Sequence, residues 1–281
     1  LSILHRSFFQ QLLPKRGLTI FAGWLANCKI IWIKNRLIQY FVWRYPVNLN
    51  EASEPDPYAY KSFNAFFTRA LLATSRPINA APHTIISPAD GIISQLGYIQ
   101  NDQILQAKGH FFSTLSLLGG NPTLAAPFVN GAFLTVYLAP KDYHRVHMPF
   151  DGTLTDMLYI PGQFFSVSTK TADSIDNLFA RNERVVALFN TPKGRMAVVL
   201  VGAMIVGSIE TVWAGTVFGA RDKTQHWFYT EQNPIHLNRG EELGRFKLGS
   251  TVIVLFEQDK VEWDQSLQPL TAINMGMGIS H

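Results

Sequence analysis

Ser250 heads an apolar run, in the order Leu248-Gly249-Ser250-Thr251 and then Val252-Ile253-Val254-Leu255-Phe256. On its own, a Gly-Ser pair before a β-branched run is a turn entering a strand. A serine hydroxyl is a poor nucleophile at neutral pH. To react it needs a base, and a third group to orient that base. The segment Tyr143-His144-Arg145-Val146-His147-Met148-Pro149 offers two histidines three residues apart, on one helical face or flanking a turn. Imidazole titrates near neutrality, which suits proton transfer. An H-x-x-H pair also suggests a metal, but no cysteine or acidic ligand set accompanies it. An acid stands in Ser87-Pro88-Ala89-Asp90-Gly91, where Asp and Gly also read as an ordinary turn.

Taken in order, these segments resemble the phosphatidylserine decarboxylase family. Leu248-Gly249-Ser250-Thr251 is similar to its self-cleavage site, Pro88-Ala89-Asp90-Gly91 to its Pro-Ala-Asp-Gly segment, and Asp142 to His147 to its Asp-Tyr-His-Arg-Val-His run. Pro161-Gly162-Gln163-Phe164-Phe165-Ser166-Val167 resembles its active-site loop, an apolar lid that would keep water from a charged reaction. The resemblance implies that the chain cuts itself between Gly249 and Ser250. Glycine, without a Cβ, permits a strained backbone there. The Ser250 hydroxyl would attack the Gly249 carbonyl carbon to give an ester. Elimination would free the Gly249 carboxylate and leave dehydroalanine, and tautomerisation with loss of ammonia would leave a covalent pyruvoyl group.

By the same resemblance, Asp90, His147 and Ser250 form the processing triad, and His144 donates or accepts a proton during decarboxylation. The pyruvoyl carbonyl would hold phosphatidylserine as a Schiff base and accept electrons as carbon dioxide leaves, yielding phosphatidylethanolamine with no metal. Ala107-Lys108-Gly109-His110, Asn177 to Val185 and Gly207 to Gly215 also match the family and read as scaffold. The match runs from the N-terminal helices to about Phe256, breaks near 220–240, and does not reach the tail. Two other readings stay open: an Asp-His-Ser hydrolase that never cuts itself, and a noncatalytic membrane-binding β module.

The elements that must position these residues are mostly strands. From about residue 84, short β-branched or aromatic runs alternate with Gly, Pro and Asp turns. They predict strands at Ile92–Leu96, Ile104–Ala107, Phe133–Leu138, Thr153–Tyr159, Val185–Asn190, Met196–Val206, Thr211–Ala214 and Thr251–Phe256. Residues 220–240 read as a polar surface loop. Ser62 caps a short helix with Phe63, Phe66 and Phe67 on one face, and Asp176–Arg181 reads as a helical turn or two. The expected class is α+β, a mainly β catalytic core over residues 84–281 with N-terminal membrane-associating helices. Residues 1–50 form the docking segment and 51–83 a helical linker region. Self-cleavage would leave chains 1–249 and 250–281, and a homodimer of processed units is an assembly the resemblance allows.

Charge is distributed unevenly over the 281 residues. Residues 1–50 hold seven basic residues and no Asp or Glu; the remainder holds 17 basic and 20 acidic residues. The positive excess lies in that first segment, beside Phe8, Phe9, Phe21, Trp24, Trp32, Tyr40, Phe41, Trp43 and Tyr45. Lys29, Lys34 and Arg36 interrupt the longest apolar run, so the pattern fits helices lying in a membrane interface, bases at the headgroups, better than a spanning helix. A helical appendage packed on the core is the plainer alternative. No zinc spacing or RNA-binding motif points to nucleic acid, and no secretory cleavage site follows the apolar stretch. The single Cys28 cannot form an internal disulfide and fits packing within a helix in a reducing compartment. The expected place is the cytoplasmic side of the cell membrane, as a peripheral protein on anionic lipid containing phosphatidylserine.

Overall fold

A run in which every residue is apolar and buried must be covered on both faces, and the segment after Gly249 is such a run. The computed structural model describes residues 15–203, 208–217, 223–247 and 250–281, with side chains from residue 21 onward. Its strands are β1 (Gly91–Tyr98), β2 (Gln103–Ala107), β3 (His110–Ser113), β4 (Ala132–Leu138), β5 (Arg145–His147), β6 (Gly152–Ile160), β7 (Arg184–Thr191), β8 (Gly194–Gly202), β9 (Ile209–Thr211), β10 (Gly215–Val217), β11 (Gln225–Phe228), β12 (His236–Leu237), β13 (Glu242–Phe246), β14 (Ser250–Phe256) and β15 (Ala272–Ile273). Among the described residues they form an antiparallel sheet in the order β11-β6-β7-β8-β14-β4-β1-β15, with β12 also on β6. A smaller sheet runs β10-β9-β13-β5, and β2 pairs with β3. The protein is mainly β with a few helices.

β14 lies near the middle of the large sheet, bonded to β4 and β8 along its whole length. Side chains alternate across a strand. Val252, Val254 and Phe256 therefore join one apolar cluster, and Ile253 and Leu255 join another on the opposite face. The first cluster includes Val146 of β5, Ile209 of β9, Val217 of β10, and Leu243 and Phe246 of β13, so the smaller sheet packs on that face. Ser250 shares the parity of Val252 and faces the same side.

The expected strands form, with three corrections. Thr211–Ala214 is not a strand throughout: β9 stops at Thr211, whose hydroxyl accepts from the Ala214 amide at 3.2 Å, and the chain returns as β10. Gly215 takes φ +66° at that reversal, a conformation that disfavours other residues. Residues 220–240 are not only loop, because β11 and β12 pair with β6 and Trp227 packs on the core. The strand expected over Met196–Val206 ends at Gly202, and 204–207 lie outside the described residues.

Among the described residues three helices precede the sheet: α1 (Lys15–Ala26), α2 (Ile31–Arg44) and α3 (Phe63–Phe67). Ser62 caps α3 by accepting from the Ala65 amide at 3.1 Å. Ala26, Ile38, Phe41, Phe63, Phe66 and Phe67 form a separate cluster that binds the three together. Lys34 does not point outward as a headgroup base. It is buried and donates to Tyr58 O at 2.7 Å and to Asn35 Oδ1 at 2.8 Å. Cys28 sits half-buried in the break between α1 and α2, not within a helix. No helix among the described residues is long and apolar enough to cross a membrane.

The loop Pro161–Val167 is held by backbone bonds, Gln163 N to Arg181 O at 2.8 Å and Glu183 N to Gln163 O at 3.0 Å, and by the side chain of Asn182. Buried Asn182 accepts from the Phe165 amide at 3.1 Å and donates to Phe165 O and Gly202 O, both at 2.9 Å. Asn182→Leu leaves those backbone groups without that partner, at about 1–3 kcal/mol for a buried orphan. The expected result is a melting temperature lower by roughly 2–8 °C, with faster amide exchange at Phe165. An unchanged melt and unchanged exchange would show that the loop is held without the Asn182 side chain.

Candidate active site

The stretch between β4 and β5 is built to carry two histidines to one place. β4 ends at Leu138, the register partner of Ser250. The chain then turns, with Asp142 Oδ2 accepting from the Ala139 amide at 2.7 Å, and reaches His144. Phe246 donates its amide to His144 O at 3.0 Å, and Ser250 follows four residues later. Two short connections thus bring His144 beside the head of β14. Leu248 and Gly249 lie outside the described residues, and with them part of the expected cleavage site.

His144 is fully buried, with the Phe67 ring packed against it at a centroid distance of 4.0 Å. Its Nδ1 lies 2.8 Å from Asp142 O. A carbonyl only accepts, so Nδ1 carries the proton and Nε2 presents a lone pair. That Nε2 has no partner. Burial pulls the imidazole down to about 3, the Asp142 carbonyl opposes this, and Arg69 lowers it further. At rest His144 is therefore a neutral acceptor. It must take a proton before it can give one.

His147 has the same tautomer in a different setting. Its Nδ1 donates to Gly240 O at 2.8 Å, and its Nε2 accepts from the Tyr143 hydroxyl at 2.9 Å. Burial lowers its pKa, while the Gly240 carbonyl, Glu242 and Asp90 act the other way. Burial also pushes the Tyr143 phenol up to about 12, so it remains a donor.

Asp90 stands near His147 but is not hydrogen-bonded to it. His147 donates its amide to Pro88 O at 2.8 Å, which docks the Asp90 turn against β5. The Asp90 carboxylate, however, accepts from Arg76 Nε at 2.9 and 3.0 Å and from the Met275 amide at 2.9 Å. Arg76 also reaches Glu51 at 2.8 Å. Acid and imidazole thus share a neighbourhood and interact through space. Arg76 and the tail amide of Met275 escaped the sequence analysis because no local pattern marks a residue that arrives from 14 or 185 positions away, and Tyr143, though inside the quoted run, was given no role there.

Ser250 is fully buried and its Oγ has no partner among the described residues. Thr251 Oγ1 shares that condition on the opposite face, so an orphan hydroxyl alone does not single out a reactive residue. What distinguishes Ser250 is its place at the head of β14, on the face covered by the smaller sheet and in register with Leu138, from which the chain turns to His144. A small hydroxyl without a structural bond, bordered by glycine, fits a residue that is converted into a carbonyl group. Among the described residues no group of three His, Cys, Asp or Glu could hold a metal. Asn182 and Arg184, from the matching segment expected to be scaffold, are structural. Arg184 is buried and donates to Leu117 O and Ser116 O at 2.7 Å.

The buried neutral state of His144 has a pH signature. Unfolding restores the ordinary value of 6.5 from about 3. The unfolded chain therefore binds more protons across that interval, and stability falls as pH drops below about 6.5. His144→Asn keeps a donor for Asp142 O without the titration. Between about pH 7 and about pH 5, wild type is expected to lose about 2 kcal/mol more than the variant. Urea unfolding at the two pH values measures this, and equal losses would mean that His144 is not neutral and buried.

Comparison with known proteins adds independent findings. A family model described as "Phosphatidylserine decarboxylase" matches residues 63–281, tail included, and a second described as "PSD" matches residues 6–46. A Pseudomonas putida protein named "Phosphatidylserine decarboxylase proenzyme" is 55% identical over 273 residues, covering 96% of this chain and 95% of its own. Proteins of the same name from Stutzerimonas stutzeri and Pseudomonas fluorescens are 55% and 53% identical over 95% and 96% of this chain, covering 91% and 94% of their own. The match reaches the last residue, beyond the limit near Phe256 that the motifs suggested. The chain belongs to the phosphatidylserine decarboxylase family.

Proposed function

We propose that this chain is a self-processing enzyme that draws its reactive carbonyl from Ser250. Its reaction is that of its family, conversion of phosphatidylserine to phosphatidylethanolamine and carbon dioxide. The observation that carries the self-processing reading is the buried hydroxyl of Ser250, without a partner among the described residues and at the head of a central strand. Burying a hydroxyl unpaired costs about 1–3 kcal/mol. A group that is consumed early in the protein's life need not be satisfied in the final structure. The relatives' designation as proenzymes supports the same reading.

In processing, the Ser250 proton passes to a histidine Nε2 as Oγ attacks the Gly249 carbonyl carbon. His147 is the proposed base. Asp90 acts on it through space, and Tyr143 yields its place at Nε2 to the serine. A rival is favoured by one observation, the free lone pair on His144. Bound at position 250, a pyruvoyl group supplies a carbonyl electron sink for loss of carboxylate. His144 Nε2 takes a proton from the incoming ammonium and returns it to the substrate carbon. Phe67, packed on the His144 ring, keeps water from that exchange.

The helices supply the docking surface. Trp43, Trp32 and Trp24 are 78%, 71% and 64% exposed, beside exposed Lys29, Arg36 and Arg44. Aromatics at this exposure beside bases suit an anionic bilayer interface. The protein is proposed to sit peripherally on the cytoplasmic face of the membrane that contains its lipid substrate.

Two sets of variants test these readings. Ser250→Ala and His147→Ala are expected to accumulate uncut chain on denaturing gels, whereas wild type gives chains 1–249 and 250–281. His144→Ala is expected to mature, to carry a carbonyl that hydroxylamine traps, and to release roughly 10²–10⁴-fold less carbon dioxide per trapped carbonyl. An uncut His144→Ala beside a normally maturing His147→Ala would transfer the processing role to His144. For docking, Trp32→Ser with Trp43→Ser is expected to weaken sedimentation with phosphatidylserine vesicles by roughly tenfold or more. Added salt is expected to weaken wild-type binding. Binding unaffected by both would remove the helices from docking.

A further inference from the structure

Arg69 is buried at 4% exposure, yet two of its guanidinium nitrogens, Nε and Nη1, have no acceptor. Its remaining polar contact is Nη2 to Lys141 O at 3.3 Å, with the Phe66 ring 5.9 Å from the guanidinium carbon. A guanidinium stays charged in proteins. A buried charge without a counter-ion costs several kcal/mol. Native interiors do not leave such a group unanswered without reason.

Arg69 lines a cavity of about 240 Å³, enclosed also by Glu51, Arg76, Asp90, Lys141 and Asp142. Three carboxylates face three cations there, but the pairing is uneven. Glu51 and Asp90 belong to Arg76, and Asp142 is held by the Ala139 amide and stands 3.6 Å from Lys141 Nζ. Arg69 is the cation left without an ion pair. Its charge also lowers the pKa of His144, and Phe67, two residues before it, packs on that ring. The segment is firmly placed, because Phe67 packs on His144 and Arg145 donates to Thr68 O at 2.9 Å.

We infer that Arg69 binds the phosphodiester of the substrate headgroup through its free Nε and Nη1. This rests on the reaction proposed above. The serine headgroup offers two anions, a carboxylate and a phosphodiester. A cation on the carboxylate would stabilise the ground state more than a transition state in which that charge leaves, and would slow the reaction. The phosphodiester keeps its charge throughout, so gripping it anchors the headgroup at no cost to the chemical step. The planar fork of arginine matches a pair of phosphate oxygens. A cavity below the roughly 300–1,000 Å³ of drug-sized sites takes a headgroup and leaves the acyl chains outside.

The test uses full-length protein and dihexanoyl-phosphatidylethanolamine, which has the phosphodiester but no carboxylate. Phosphorus-31 line broadening measures its binding. Arg69→Gln is expected to weaken binding at least about tenfold, and Arg69→Lys less, since lysine keeps charge but not fork. In assays with phosphatidylserine, KM is expected to rise more than kcat falls. Unchanged phosphatidylethanolamine binding by a folded Arg69→Gln overturns the inference. Weakening seen only with phosphatidylserine does so too, by assigning the arginine to the carboxylate. Inorganic phosphate is expected to displace the lipid from wild type where sodium chloride of equal ionic strength does not. That arm decides the matter if both variants misfold, and absence of displacement counts against the inference. Carbon dioxide release by wild type is scored separately. If there is none, the proposed reaction fails while the binding result stands by itself.

Discussion

The double ladder on β14 is the constraint on which the rest depends. Seven residues of this strand pair with β4 on one side and β8 on the other. A nucleophile at the first of them cannot drift, since both neighbours hold its backbone in register. The ladder also explains how a chain cut just before Ser250 would stay assembled. Residues 250–281 keep the central strand, and the tail adds bonds of its own. Ser87 donates to Met277 O at 2.8 Å, Ile279 to Ile85 O at 2.9 Å, and the Ser280 hydroxyl accepts from Ile85 at 2.9 Å. The tail closes over the Asp90 turn and supplies the Met275 amide to its carboxylate. A segment without recognisable motif is thus part of the site's frame.

Burial then sorts the two histidines. Both donate from Nδ1 to a backbone carbonyl, so both offer Nε2 as an acceptor. Tyr143 occupies one of these acceptors and nothing occupies the other. Residues of one type, three positions apart, thereby acquire different resting states. Arg76 has a comparable effect on Asp90. By taking the carboxylate for itself, with Glu51 on its far side, it turns the acid from a hydrogen-bonding partner of His147 into a nearby charge. Low local dielectric makes such a charge effective at a distance that water would screen.

The helical front and the sheet meet at this same place. Phe67, at the end of the short helix α3, contributes to the cluster that holds α1 and α2 and also packs on His144. A surface with exposed tryptophans is therefore joined, through a few aromatic rings, to the buried imidazole of His144.

How much was legible beforehand follows from what is local. The apolar run after Ser250, the alternating strands, the Ser62 cap and the polarised N-terminus depend on residues a few positions apart, and the sequence by itself determined them. Ser250, Asp90 and the two histidines stood out as candidates in the same way, because their order along the chain resembles a family. The hairpin at Thr211–Gly215 and the strands in 225–237 were missed, since a side-chain cap and an edge partner decided them. Only the tertiary structure decided that Lys34 turns inward, that Asp90 is held by Arg76, and that Arg69 is left unpaired. The physical reason is common to all three. An ionic side chain is long, and its partner is chosen by what the fold brings within hydrogen-bond reach, from 14 residues away for Arg76 and 24 for Lys34. Residue type sets which partners are acceptable, and packing sets which one is there.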